Sequence, residues 1–256
     1  MYLKKQEDII EKIINIVIVL LFGVAILNIF IFKDNLMAIY NYKFIIVFSI
    51  TYIGILFSIM HFLRKYDSID KNSKKVLIMY IFLISIQITY AALIFRKIGW
   101  DAGMVYSSAC DLVNGTFNNV EYFSMYGNNV LLLLFLEILF RACKLFGCNN
   151  YLFILIIFNI FMIDLAIYYI YKTCEKLIGK KYGTLSYFIS IPMLGLNPYL
   201  TVVYSDTLSY IFPVIIFYNY ILYKNEKDSK SKSMFIFNIA FFSVLGYLVK
   251  PTNIII

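Results

Sequence analysis

The chain has 256 residues, 62% of them hydrophobic and 15% charged, with a formal net charge of +8. Soluble proteins hold about 45–50% apolar and about 25% charged residues, and a globule of this size lacks the interior to hide the surplus. Disorder, coiled coil, collagen and a disulfide scaffold are excluded with the soluble domain, which leaves an all-α, polytopic transmembrane helical bundle. The basic residues lie in short loops between apolar runs, the pattern that orients membrane helices, so nucleic acid is not an expected partner. The four cysteines form no CxxC, and with a single histidine they offer no zinc spacing. Cys143 and Cys148 could pair, but they read first as small buried thiols.

About 20 apolar residues cross a hydrocarbon core of ~30 Å as a helix. In chain order such runs are Ile13–Phe32, read as an uncleaved anchor, then Phe44–Leu63, Val76–Phe95, Tyr151–Tyr171, Gly183–Val203, Thr207–Tyr223 and Met234–Ile256. An eighth, Val130–Phe146, is short and carries Glu137 and Arg141 at i, i+4, where they are expected to pair on one helix face. With the N-terminus cytoplasmic and this eighth run crossing fully, Lys and Arg divide evenly between the two sides. If it returns to the outer side, sixteen lie inside and seven outside. The positive-inside rule therefore favours seven spans plus a re-entrant or in-plane helix, and eight spans is the alternative. Residues 1–75 then form two N-terminal spans with a basic inner loop, and 76–256 form a core.

The longest polar stretch is Arg96–Asn129. Ala102, Val105, Ala109 and Leu112 share a face, so residues 101–114 are predicted to form a short helix lying at the outer interface beside Trp100, with Gly115 ending it. Asp101 opens that helix, either as a plain N-cap or as a carboxylate at the membrane edge. Partly withdrawn from water, a carboxylate becomes a better base toward a hydroxyl. Asp111 lies ten residues on, about 15 Å along the helix, so the two cannot chelate one metal, and Asp111 reads as a solvated residue. Tyr122 and Tyr126 suit an interfacial belt, while Tyr126, Asn128 and Asn129 also suit recognition of sugar hydroxyls. Pro192, Pro198 and Pro213 predict kinked or broken helices around Asn197–Thr207, which holds Tyr204, Ser205 and Asp206. Lys250 sits toward the outer end of its span, where it either snorkels or neutralises a lipid phosphate. Asp164 and Asn159, with Gln87 and His61, read as interhelical hydrogen-bonding residues.

These elements resemble, over about residues 76–256, the C-type (GT-C) glycosyltransferase superfamily. The resemblance rests on Gly99-Trp100-Asp101 in the first large outer loop, an interfacial helix, Tyr126-Gly127-Asn128-Asn129, the Pro198-Tyr199…Tyr204-Ser205-Asp206-Thr207 segment and Lys250-Pro251-Thr252. It implies a multi-span enzyme of the cell membrane, its active site on the outer face, moving a sugar from a polyprenyl-phosphate donor to a glycan, lipid or protein acceptor. By position Asp101 matches the family's catalytic acid and Lys250 a lipid-phosphate contact, with Tyr126, Asn128, Asn129, Tyr204 and Asp206 as substrate-binding candidates. Gly127 stands where many relatives have Pro. No second acid adjoins Asp101; a divalent metal stays open on this pattern, and no other cofactor is expected. Inversion is expected because no second carboxylate is placed as a nucleophile. Two other classes stay open: a flippase or transporter for lipid-linked sugar, and a non-catalytic assembly partner. The chain stops at the apolar Asn253-Ile254-Ile255-Ile256, so it is read as an N-terminal fragment, with further spans expected beyond it and no activity expected of the fragment alone.

Overall fold

The computed structural model describes residues 73–95 and 99–251, with scattered positions between 47 and 61. The chain divides into two units, Met1–Phe57 and Ser58–Ile256. In the first, the described residues at 47, 50–55 and 57 are helical; the expected span Ile13–Phe32 lies outside the described residues. The second unit is built, among the described residues, from helices and turns without strands. In order these are α1 (Ser73–Ile94), α2 (Trp100–Val113), α3 (Val120–Met125), α4 (Val130–Leu145), α5 (Tyr151–Ile178), α6 (Lys180–Ser190), α7 (Ser205–Ser209), α8 (Ile211–Asn225) and α9 (Ser229–Val249).

Helix α5 is the axis of this unit, its face of Leu155, Ile160, Ile163 and Ile167 almost fully buried. Helix α1 lies antiparallel against it. Tyr80 meets Tyr168 edge to face at 6.2 Å, and further along Gln87 bonds Asp164. Beyond that, the end of α1 and the start of α5 form a half-open apolar groove of about 340 Å³ lined by Ile88, Ala91, Phe95, Leu152 and Ile157. Helix α8 packs on another side of α5 through Ala166, Ile211, Phe212 and Ile215, with Tyr218 against Tyr169. Helix α9 returns along α8, tied by Asn238 Nδ2 donating to Asn219 Oδ1 at 3.1 Å.

Two of the described helices, α5 and α9, are long and apolar enough to cross a membrane alone, and the apolar part of α1, Tyr80–Ile94, is shorter. Among the described residues, two of the runs expected from hydropathy are not single unbroken helices. The run Gly183–Val203 is α6, then a π-turn at Ile191–Gly195 holding Pro192, then a 3₁₀ turn at Pro198–Thr201. The run Thr207–Tyr223 is split between α7 and α8, with Pro213 in the first turn of α8. Proline has no N–H for the ladder and its ring clashes with the preceding turn, so hydropathy alone draws these segments as rods where the backbone breaks.

The α5–α6 turn depends on Gly183. A Cβ there would stand 3.0 Å from Glu175 Cβ and 3.1 Å from the Glu175 backbone, so the two helices approach where only hydrogen fits. Gly183→Val is expected to cost about 1–3 kcal/mol by overpacking. The measurement is the denaturation midpoint of the detergent-solubilised chain, and an unchanged midpoint would mean the helices part freely.

Candidate functional site

Helix α2 is amphipathic as its spacing requires. Ala102, Val105, Ala109 and Val113 are buried, while Trp100 and Asp101 are exposed. Its end is a Schellman turn: Thr116 N–H reaches Asp111 O at 2.9 Å and Gly115 N–H reaches Leu112 O at 3.1 Å, with Gly115 at φ +83°. Two basic residues of α4 finish the task. Arg141 Nη2 donates to Leu112 O at 2.9 Å and Lys144 Nζ to Val113 O at 3.3 Å, placing cations on the negative helix end. Arg141 also pairs with Glu137 at 2.8 Å, the expected i, i+4 contact. Helices α2 and α4 therefore run parallel, held at their C-terminal ends, so that Asp101 and Asn129 come together at the other.

Gly99, not Asp101, is the N-cap of α2. Trp100 follows at φ +55°, a left-handed conformation uncommon for a bulky residue. Asp101 thus starts the helix without capping it. The protein leaves it exposed, so the desolvation expected from its place beside Trp100 is not supplied by packing within the chain.

Asn129 is the hub. It is 1% exposed at the end of the Gly127–Asn129 turn. Tyr204 Oη donates to its Oδ1 at 2.9 Å, and its Nδ2 donates to Tyr122 Oη at 2.8 Å. Asn128 Nδ2 adds a longer contact to Oδ1 at 3.2 Å. The Tyr122 hydroxyl in turn faces Asp101. Burial first, and then the neighbouring Asp101 carboxylate, hold Tyr122 well above the usual tyrosine range. Tyr204 is also raised, first by burial, with Asp101 and Asp206 pushing the same way and Asn129 and Lys250 opposing. The hydrogen bonds therefore run in one sense from Tyr204 through Asn129 to Tyr122, whose hydroxyl lies toward Asp101.

The charged side of the cluster comes from α7 and the end of α9. Asp206 lies in the first turn of α7, where the Thr207 hydroxyl donates to Tyr204 O at 3.1 Å and fixes the turn. Lys250 stands just past α9, its backbone N–H on Gly246 O at 2.9 Å. Its ammonium is paired with Asp206, both side chains part-exposed. The lone lysine read from the sequence therefore has a carboxylate partner within the chain.

Six residues spread from position 101 to 250 thus share one locality: Asp101, Tyr122, Asn129, Tyr204, Asp206 and Lys250. Tyr126 is half-exposed on its rim, stacked obliquely on Tyr122 at 5.0 Å, and Asn128 is exposed beside it. The part sequence reading missed is Tyr122, taken for an interfacial ring. Its seven-residue separation from Asn129 spans the turn at Gly127, so no helical period links the two. Asp111 stays at the far end of α2. Among the described residues no three of His, Cys, Asp and Glu converge, so this donor set does not fit a polydentate metal site. Cys110, Cys143, Cys148 and Cys174 are free thiols. Asn159 makes the interhelical bond expected of it, Nδ2 to Leu200 O at 2.9 Å, whereas His61 is exposed.

The chain belongs to a family of integral membrane proteins, described as conserved hypothetical integral membrane proteins, whose profile it matches over residues 2–256. No curated protein and no solved structure matches it. The family places the chain in a membrane and carries no reaction with it.

Proposed function

We propose, from the premise of an integral membrane protein, that this chain is an inverting glycosyltransferase using a polyprenyl-phosphate sugar. In this reading the chain crosses the membrane seven times, with α4 as the re-entrant or in-plane helix, the N-terminus in the cytoplasm and the Asp101 cluster at the outer face. The observation that carries it is the meeting of a base, a chain of phenol and amide donors and a lysine at one point. Glycosyl transfer needs those three functions together.

The acceptor hydroxyl attacks the anomeric carbon and gives its proton to the Asp101 carboxylate. The bond from that carbon to the donor phosphate oxygen breaks, and its electron pair leaves with the polyprenyl phosphate. Lys250 neutralises that charge, and the transition state has oxocarbenium character. Tyr122 and Asn129 orient Asp101, while Tyr126 and Asn128 on the rim suit sugar hydroxyls. The test is transfer of labelled sugar from polyprenyl-phosphate donors by vesicles containing the chain. Sugar that crosses the bilayer still bound to its lipid would instead make the chain a transporter.

This mechanism requires Lys250 to exchange Asp206 for phosphate. Asp206→Asn is therefore expected to lower the donor KM with kcat nearly kept. A part-exposed pair is worth up to about 1 kcal/mol, which corresponds to a KM about fivefold lower. A donor KM that does not move would take Lys250 out of donor binding.

A further inference from the structure

The polar groups in the middle of α5 play no part in the cluster above. Asp164 is 6% exposed and Gln87 of α1 is fully buried against it. Gln87 Nε2 donates to Asp164 Oδ1 at 2.8 Å. Each side chain is then left with one buried oxygen that has no partner, Asp164 Oδ2 and Gln87 Oε1. An ionised carboxylate and an amide carbonyl are both acceptors, so neither can satisfy the other. A carboxylic acid and a primary amide, however, are complementary through two hydrogen bonds, and one of these is already made. A single proton on Oδ2 turns that oxygen into a donor, and Gln87 Oε1 is the orphan acceptor on the same amide.

The surroundings offer no competing solution. From α1, Tyr80 faces Asp164, but its own hydroxyl is buried without a partner and does not donate to Oδ2. From α6, Tyr187 faces the same carboxyl and lies edge-on to Tyr80 at 5.2 Å. From the π-turn the neighbour is Gly195, whose Cβ position would be 3.3 Å from Gln87 Nε2 and which brings no titratable side chain. On α5 itself Tyr168 lies one turn on, and the nearest charges, Lys172 and Glu175, pair with each other at 2.8 Å. Among the described residues no lysine, arginine or histidine acts on Asp164. An ionised acid would thus be buried in an apolar span without a counter-charge and with one oxygen unsatisfied, the most costly state open to it.

We propose that Asp164 and Gln87 form an intramembrane proton-binding site, with Asp164 present as the neutral acid and its Oδ2–H donating to Gln87 Oε1. The bound proton closes the acid–amide pair and clamps α1 onto α5 beside the π-turn. That turn leads on to Tyr204 and Asp206, so the proton fixes the base of the segment that carries them. The inference is independent of sugar transfer.

The test is infrared spectroscopy of the full chain in lipid vesicles at neutral pH, in H₂O and D₂O. Wild type is expected to show the carbonyl stretch of a protonated carboxylic acid, shifted by deuterium. The band should vanish in Asp164→Asn and move in Asp164→Glu. Asp164→Asn restores an amide–amide pair with both hydrogen bonds and is expected to unfold at the wild-type temperature. Asp164→Leu, which orphans the whole Gln87 amide, should unfold lower. A spectrum with only carboxylate bands would overturn the proposal, as would a sodium-dependent carboxylate signal lost in Asp164→Asn. Should Asp164→Asn fail to fold, the wild-type band and its displacement in Asp164→Glu decide the matter alone.

Discussion

Asp101→Asn is expected to lower sugar transfer by about 10²–10⁴-fold, the usual contribution of a positioned general base. The amide is nearly the same size and keeps an acceptor oxygen toward Tyr122. What it loses is the capacity to take a proton from the acceptor. Asp101 is exposed and caps nothing, so its replacement should leave folding and membrane insertion as they are. The loss should therefore fall on kcat, with donor KM nearly unchanged, because the proposed mechanism holds the donor phosphate on the Lys250 side. A parallel denaturation curve separates chemistry from stability. Transfer at the wild-type rate in this variant would remove Asp101 from the mechanism and leave the cluster as a structural network.

Phe140→Ala is expected to cost about 3–5 kcal/mol of stability, the range for truncating a fully buried aromatic. Phe140 is 0% exposed. Its ring stacks on Tyr151 at 4.9 Å and meets Tyr106 edge-on at 5.6 Å, so one side chain fastens α2 and α4 to the start of α5. A cavity there cannot collapse easily, because Leu136 and Leu155 beside it are already buried in the same core. The check is the denaturation midpoint in detergent against wild type, with Phe140→Leu as the milder control. Since α2 carries Asp101, activity per folded molecule should also fall, but by much less than in Asp101→Asn. A midpoint equal to wild type would show that α2 and α4 are not packed on α5 through this ring.

The helix through Trp100–Val113 was legible because it is a local matter: its apolar spacing, and Gly115 at the point where a positive φ is required. The Glu137–Arg141 pair was legible for the same reason, four residues being one helical turn. Arg141 and Lys144 as caps for α2 were not, because they reach carbonyls 29 and 31 residues away. The prolines announced breaks. That Gly195 of the π-turn packs against Gln87, more than a hundred residues earlier, no local pattern records. In the cluster, the residue types were readable at Asp101, Asn129, Tyr204, Asp206 and Lys250. The pairing of Lys250 with Asp206, and Tyr122 as the bridge between Asp101 and Asn129, were not.

By itself the sequence determined the solvent this chain is built for and the approximate positions of most of the described helices. Apolar content, turn residues and helical periods act within a few residues, and their energies do not wait for the fold. Only the tertiary structure decided which polar side chain meets which. Contacts such as Asn129 with Tyr204, 75 residues apart, or Lys250 with Asp206, 44 apart, carry no period and gain their energy only when packing has brought the helices together.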